Sequence, residues 1–262
     1  MPQRFPNKFQ RLTALIVFLS ILILLFFIFW HIAIFLLIIS IPVILGVLIW
    51  GAFNIRSNLY LPAISRFSPT YNRIALTFDD GPKGQNTNDV LDVLKKYNAQ
   101  ATFFCTGEML EKYPEIALRI IEEGHEIGNH SYSHQVLFPF QSPNKIGEEI
   151  LKTNRLIKKL SGEEAVYFRP PFGVTNPNIA KAVKKTGMLT VGWSIRSLDT
   201  VKKPETVLER LSKAKAGDII LMHDKQKESP KILEQFLRSY QSKGYDFACL
   251  SECTPEFSQF RY

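Results

Sequence analysis

The chain has 262 residues, and its 32 Lys and Arg against 24 Asp and Glu give a net charge of +8. Residues 1–66 carry five basic and no acidic residues, which leaves 27 basic and 24 acidic residues in 67–262. With no dense basic stripe, this balance excludes nucleic acid as the expected partner, and no pattern indicates a protein partner. Cys105, Cys249 and Cys253 follow no disulfide-framework spacing, so we expect core residues.

The first fifth of the chain is apolar. Leu12 to Trp50 contains no formal charge. As one straight helix this stretch would be about 58 Å long, nearly twice a hydrocarbon core of roughly 30 Å. It also exceeds the roughly 7–15 apolar residues of a secretory signal. We therefore expect residues 1–53 to form a membrane anchor, the lipid bilayer to be a partner, and the protein to be an integral membrane protein.

Two arrangements fit an apolar stretch of this length. Helices near 12–29 and 32–50 could form a hairpin that turns at Trp30-His31, or a single span could be extended by a tilted or interfacial stretch. We favour the hairpin, because it uses the length better and places the ionisable His31 at a membrane surface. A hairpin puts both termini on one side, and the positive-inside rule favours the cytoplasm. The flanking basic residues are Arg4, Lys8 and Arg11 before the stretch and Arg56 and Arg66 after it.

After a connector at 54–72, apolar runs alternate with amphipathic helical patterns. The predicted strands are Ile74–Phe78, Ala101–Cys105, His125–Gly128, Val166–Phe168, Leu189–Ser194, Asp218–Met222 and Tyr245–Leu250. The predicted helices lie near Asn88–Tyr97, Glu115–Glu123, Lys145–Leu160, Asn178–Lys185, Glu205–Lys215 and Pro230–Ser242. This alternation predicts an α/β domain at 73–262, with a largely parallel sheet that is closed or nearly closed into a barrel.

Polar motifs follow five of the predicted strands at their carboxyl ends. In chain order they are Asp79-Asp80, His130 with His134, Arg169, Asp199 and His223. The carboxyl ends of barrel strands form the face that carries the active site. We therefore expect these side chains to converge.

The first two motifs indicate metal chemistry. His130 and His134 are four residues apart, so on a helical turn both imidazoles can reach one ion. Of the adjacent Asp79 and Asp80, one can bind that ion while the other stays free as a base. An Asp with two His leaves a coordination position open, as in catalytic zinc sites. A bound divalent ion lowers the pKa of water, so the sequence predicts metal-assisted hydrolysis.

Two further motifs supply charged groups. Arg169, at the start of the rigid turn Arg169–Gly173, is predicted to pair with Asp79 and hold that carboxylate ionised. His223 ends an apolar strand and is well placed as a general acid that protonates a departing amine.

The motifs Thr77–Pro82, His130–His134, Arg169–Gly173 and Leu221–His223 together resemble those of the NodB-type polysaccharide deacetylases, also called carbohydrate esterase family four. The resemblance covers roughly residues 74–250 and implies a distorted (β/α) barrel, usually of seven strands. It also implies a divalent metal, typically zinc, and hydrolysis of N-acetyl groups on amino sugars. An N-acetylated glycan of the bacterial cell envelope, or a lipid-linked glycan, is then the expected substrate.

Carried over residue by residue, the resemblance implies a role for each site residue. Asp80, His130 and His134 would hold the metal, and Asp79 would be the base. His223 would protonate the leaving amine, and a backbone N–H near Phe172-Gly173 would stabilise the oxyanion. The substrate-binding residues would be Pro171, Phe172, Gly173 and Leu221.

One motif departs from the family pattern. Where the family commonly has two Asp followed by Trp, this chain has Arg196 at the first acidic position, Asp199 at the second and Thr200 at the Trp position. We therefore expect Asp199 to orient His223. The departure motivates one alternative, a non-catalytic carbohydrate-binding protein with a degenerate site. A second alternative is removal of another small acyl group, such as formyl, because the machinery needs only a small amide.

Overall fold

The computed structural model describes residues 8–69 and 72–253. The chain divides between Trp50 and Gly51 into a helical unit and a globular unit. Helix α1 (Lys8–Phe53) forms the helical unit as far as Trp50. Its last three residues belong to the globular unit.

Helix α1 is uninterrupted. The predicted hairpin is not found, because Trp30 and His31 both lie inside the helix, where no Gly, Pro or Asn favours a turn. Pro42 is accommodated within the helix. Within the described residues, Leu12–Phe53 is long and apolar enough to cross a membrane, with a mean hydropathy of 3.2. An apolar helix near the N-terminus is typical of a membrane anchor or signal.

The globular unit is built on one parallel sheet. Its strands are β1 (Arg73–Asp79), β2 (Thr102–Cys105), β3 (Glu126–Asn129), β4 (Tyr167–Phe168), β5 (Leu189–Thr190), β6 (Ile195–Arg196), β7 (Ile219–His223) and β8 (Asp246–Ala248). Their order is β5-β4-β3-β2-β1-β7-β6, and β8 pairs with β1. All seven predicted strands are present, and β6 is an eighth.

The sheet is an open half-barrel. Strands β5 and β6 end its path and do not pair in the described residues, so the predicted (β/α)7 barrel is only partly correct. The segment before β1 bonds to residues beside β5 and beside β7, through bridges of Ile64 to Val191 and of Arg66 to Asp218. It packs as part of the globular unit.

Helices cover the sheet. They are α2 (Gln85–Lys96), α3 (Gly107–Lys112), α4 (Pro114–Glu122), α5 (Pro143–Ser161), α6 (Pro177–Thr186), α7 (Pro204–Leu211), α8 (Ser229–Gln241) and α9 (Leu250–Cys253). All six predicted helices are present, while α3 and α9 are additional. The apolar stripe of each predicted helix packs toward the sheet, which leaves its charged face to solvent.

Parallel register aligns the strand ends that carry the polar motifs. Asp79, the last residue of β1, is paired with His223 of β7 on one side and with Phe104 of β2 on the other. Phe104 and the rest of β2, with Ile127–Asn129 of β3, are buried beneath this edge. The apolar interior thus fixes the position of the polar residues that follow each strand.

Candidate metal centre and active site

Asp80, His130 and His134 form a cluster that could hold a metal ion, since their ligand atoms all lie within 4.8 Å of one another. His134 Nε2 is 3.3 Å and His130 Nε2 is 3.6 Å from Asp80 Oδ1. Tetrahedral bonds of about 2.1 Å would separate ligand atoms by roughly 3.4 Å. The distances and the donor types therefore fit one divalent ion.

The protonation states also suit metal binding. Burial, assisted by neighbouring His130, lowers the pKa of His134 to about 4, so this imidazole is neutral near pH 7. Burial acts to raise the pKa of Asp80, but the hydrogen bond and charge of His130, with His134, outweigh it and hold that pKa below its usual range. A neutral imidazole at His134 and a carboxylate at Asp80 are the forms that ligate a metal.

His130 is oriented by the backbone. Its Nδ1 lies 2.7 Å from the carbonyl oxygen of Arg169, which can only accept, so Nδ1 carries the proton and donates. In the neutral imidazole the other ring nitrogen, Nε2, is then the one without a proton, and it faces Asp80. Such a backbone partner fixes the tautomer of a metal-binding histidine.

Two of the three candidate metal ligands have unusual backbone conformations. Asp80 and His134 have φ of 73° and 50°, in the left-handed region that non-glycine residues avoid. Such strain of about 1–3 kcal/mol per residue persists where the surroundings over-determine it, and it clusters at functional sites.

Asp79 is buried and paired with Arg169. The fully buried Arg169 donates from Nη1 to Asp79 Oδ1 and to Thr77 Oγ1, both at 2.7 Å. It also donates to the carbonyl oxygens of Val191 and Gly192. Burial lowers the pKa of Arg169 and the charge of Asp79 opposes this, so the guanidinium remains a cation. The structure therefore contains the ion pair predicted between these side chains.

His223 is paired with Asp199. The ring nitrogen Nδ1 of His223 lies 2.9 Å from Asp199 Oδ1, and the backbone N–H of His223 donates to Asp199 Oδ2 at 2.6 Å. Ser197 Oγ donates to the same carboxylate at 2.9 Å. Burial acts to lower the pKa of His223, but the hydrogen bond and charge of Asp199 outweigh it and raise that pKa. Asp199 follows β6 rather than β5, and it has the contact expected of the residue that orients His223.

The turn after β4 forms one wall of the site. Phe172 is half exposed, and its ring centroid is 4.6 Å from that of His134. Gly173 has φ 67°, and a Cβ there would lie 2.2 Å from the Trp193 ring, so only glycine fits. Pro171 and Leu221 are buried, Pro171 beneath this wall and Leu221 on β7.

A cavity of about 190 Å³ brings most of these residues together. Its lining residues are Asp79, Asp80, His130, His134, Phe172, Gly173, Trp193, Arg196, Thr200, Leu221, His223 and Lys225. Arg169, Asp199 and Pro171 lie behind this lining. Trp193 and Lys225 were not predicted as site residues, although each adjoins one of the polar motifs in the sequence.

Comparisons with known proteins agree with this geometry. A family model for polysaccharide deacetylase matches residues 68–191. The chain is 35% identical over 198 residues to peptidoglycan-N-acetylglucosamine deacetylase PgdA of Listeria monocytogenes, an alignment that covers 75% of this chain and 41% of that relative. It is 36% identical over 186 residues to a peptidoglycan-N-acetylglucosamine deacetylase of Bacillus cereus, with 68% of this chain and 86% of that relative covered.

Among solved structures, a CE4 family pseudoenzyme from Bacillus anthracis matches with a TM-score of 0.68 at 27% identity, over 75% of this chain and 70% of that chain. The chain thus spans about two-fifths of the length of PgdA but most of the Bacillus cereus relative. Sequence similarity, fold and the Asp-His-His cluster all agree. The chain therefore belongs to the polysaccharide deacetylase family, carbohydrate esterase family four, as its motifs predicted.

Proposed function

We propose that the protein is a membrane-anchored, metal-dependent hydrolase that removes acetyl groups from N-acetylated amino sugars of peptidoglycan or a related cell-envelope glycan. One observation carries this proposal. The three-residue metal cluster lies in one cavity with Asp79, which is paired with Arg169, and with His223, which is paired with Asp199. The names of the two relatives support peptidoglycan as the substrate.

Zinc is the proposed metal, because two imidazoles and one carboxylate suit a tetrahedral ion with an open position. When bound, the ion would polarise the acetyl carbonyl and lower the pKa of water at the open position. Asp80, His130 and His134 would hold it, and the hydrogen bond from His130 to the backbone would keep that ring aligned.

Asp79 is the proposed base. Its Oδ1 accepts from Arg169, whereas Oδ2 lies 3.8 Å from His130 Nε2, at the metal cluster. The carboxylate can therefore accept the proton of attacking water at Oδ2 while Arg169 holds Oδ1 in place.

His223 is the proposed acid. Because Nδ1 faces Asp199, the opposite ring nitrogen Nε2 is the one available to the leaving amine. The raised pKa of His223 keeps more of the ring protonated near neutral pH, as a general acid requires. Base and acid thus occupy paired positions on β1 and β7.

The oxyanion donor is proposed to be the backbone N–H of Phe172. The N–H of Gly173 already donates to Pro170 O at 3.0 Å. The exposed part of Phe172, with Trp193 and Leu221, would contact the sugar ring.

The catalytic machinery is proposed to lie within residues 73–262, with 1–53 as the anchor and 54–72 as the connector. Because α1 is one helix and not a hairpin, the reason for expecting the globular unit in the cytoplasm no longer holds. Three basic residues precede the apolar segment and two follow it within a short distance, which favours a cytoplasmic N-terminus and an outward-facing domain. Protease digestion of intact cells tests this, since cleavage of the globular unit requires the outward orientation.

Acetate release tests the activity. Detergent-purified full chain is incubated with N-acetylglucosamine oligomers and with peptidoglycan, with zinc or with chelator. Asp79→Asn is the test variant, and the exposed Asp246→Asn is the matched control. We expect metal-dependent release by the native chain and the control, and none by Asp79→Asn.

No acetate release from a chain with one zinc bound would refute the deacetylase. Formate release from N-formylated oligomers would then favour the small-acyl alternative. Glycan binding without hydrolysis would favour the non-catalytic carbohydrate-binding protein, which was suggested by Arg196 at the position of the usual Asp. In the structure Arg196 is exposed at the cavity, while Asp199 still contacts His223.

A further inference from the structure

Three large apolar side chains are exposed on the loop that directly follows the candidate ligand His134. Val136, Leu137 and Phe140 are 77%, 67% and 80% exposed, and we refer to these three residues as the apolar surface. Single exposed apolar side chains are ordinary on a globular protein, whereas a cluster of large ones marks an interaction site.

The backbone beneath the apolar surface is anchored. Phe138, between its members, is fully buried in a core cluster. Asn176 Nδ2 donates to the carbonyl oxygen of Pro139 at 2.6 Å, and Asn178 Nδ2 donates to that of Gln141 at 3.0 Å. The loop therefore holds its apolar side chains in solvent as a fixed feature.

The apolar surface adjoins the place where the chain enters the globular unit. The N–H of Thr175 donates to Ala52 O at 2.9 Å, and Thr175 Oγ1 donates to Gly51 O at 3.3 Å. Thr175 directly precedes Asn176, which anchors the loop. Gly51 and Ala52 are the first residues of the globular unit, and in the chain they directly follow the apolar helical unit.

A basic patch lies beside the apolar surface. Lys181, Lys184 and Lys185 are exposed on α6, which contains no acidic residue. They line a groove with residues 142–144, which follow the loop directly, and Lys185 Nζ donates to Asn144 Oδ1 at 3.3 Å. Exposed apolar side chains beside lysines are the composition of surfaces that bind the interface of anionic membranes.

We propose that the apolar surface and the three lysines of α6 dock the globular unit onto an anionic phospholipid bilayer. The inference rests on the proposed membrane placement of α1 and is independent of deacetylase activity. The apolar side chains enter the headgroup boundary by about 5–10 Å, while the lysines contact lipid phosphates. Because His134 lies two residues before Val136, docking brings the active-site cavity close to the membrane, where it meets membrane-proximal glycan.

A fluorescence experiment on the full chain in nanodiscs tests the docking. Phe140→Cys is labelled with an environment-sensitive thiol probe, and Leu118→Cys, on α4, is the matched control at an exposed apolar position. The native cysteines are buried, so the unmodified chain reports background labelling. Brominated lipids quench a probe that reaches the acyl region. The nanodiscs contain phosphatidylcholine with or without phosphatidylglycerol.

We expect the Phe140→Cys probe to be blue-shifted and quenched several-fold more than the Leu118→Cys probe. Quenching should fall without phosphatidylglycerol and in a background of Lys181→Glu, Lys184→Glu and Lys185→Glu. Equal quenching at both positions would overturn the proposal. A probe shielded from water but not quenched by lipid would place a second copy or another protein on the surface and would also overturn it. Quenching indifferent to phosphatidylglycerol and to the lysines would contradict an anionic partner.

Discussion

The pair formed by Arg169 and Asp79 is expected to act as one unit in stability as well as in catalysis. Replacement of Arg169 by Met removes its four hydrogen bonds, to Thr77, Asp79, Val191 and Gly192, and leaves a buried carboxylate without its partner. Asp79→Asn performs the reverse test, because it leaves the guanidinium without a counter-charge.

The expected magnitude follows from burial. Arg169 is fully buried and Asp79 nearly so, and removal of one member of a buried pair costs about 3–5 kcal/mol. In the double variant Arg169→Met/Asp79→Asn neither charge remains. Its loss of stability should therefore be smaller than the sum of the single losses, by a coupling energy of about 0.5–3 kcal/mol. All three variants should lack deacetylase activity, since each disturbs the proposed base.

Urea unfolding of the full chain in detergent and chelator measures these free energies, because chelator removes any contribution from bound metal. Arg119→Met is the matched control. Arg119 bridges Asp92 and Glu123 on a partly exposed helix face, so its loss should cost about 0–1 kcal/mol. Strictly additive losses in the double variant would refute the claim that the buried pair is one energetic unit. So would an Arg169→Met loss no larger than that of Arg119→Met.

Three further predictions concern the site. Asp199→Asn should lower the pKa of His223, which Asp199 now raises. The protonated acid is then lost at lower pH, so the alkaline limb of the pH–rate profile should move to lower pH. An unmoved limb would contradict the pairing. Gly173→Ala should destabilise the fold by at least about 2 kcal/mol, because φ is 67° and the new Cβ would lie 2.2 Å from an indole carbon. The control is Gly162→Ala, where φ is 78° but no atom lies within 4 Å, and urea unfolding should show a loss nearer 1 kcal/mol. Equal losses in the two variants would exclude the clash as the cause. His134→Ala should reduce zinc from one ion per chain to near zero by elemental analysis, whereas retained zinc would place the metal elsewhere.

The alternation of apolar runs and amphipathic stretches was enough to predict seven strands and six helices, because each element buries its apolar face at its own period. Strand β6 was not predicted, because its two residues, Ile195 and Arg196, directly follow the predicted strand Leu189–Ser194 and are too few to show a strand pattern of their own. Only the course of the backbone, in which the Ser194 N–H bonds to Ile219 O, distinguishes β6 from β5. The short helix α3 carries too few residues for a helical period to be visible in sequence.

The hairpin prediction was wrong for a related reason. The length of 12–50 argued for two spans, but no local residue at Trp30-His31 favours a turn. A continuous helix also pairs most of its backbone groups within itself, as a membrane requires. The length of an apolar stretch limits how many membrane spans it can form, whereas turn-forming residues decide where a helix ends.

By itself the sequence determined the family, the residue types of the metal cluster and the strand ends from which they project. These follow from local spacing: His130 and His134 are four positions apart, and two adjacent carboxylates stand at the end of an apolar run. Only the tertiary structure decided how distant residues meet. The pairs of Arg169 with Asp79, across 90 positions, and of Asp199 with His223 were predicted as pairs, but the atoms that meet are set by parallel strands that align their carboxyl ends. The exposure of Phe140 likewise appears only in the fold, since solvent exposure depends on the neighbours that packing supplies.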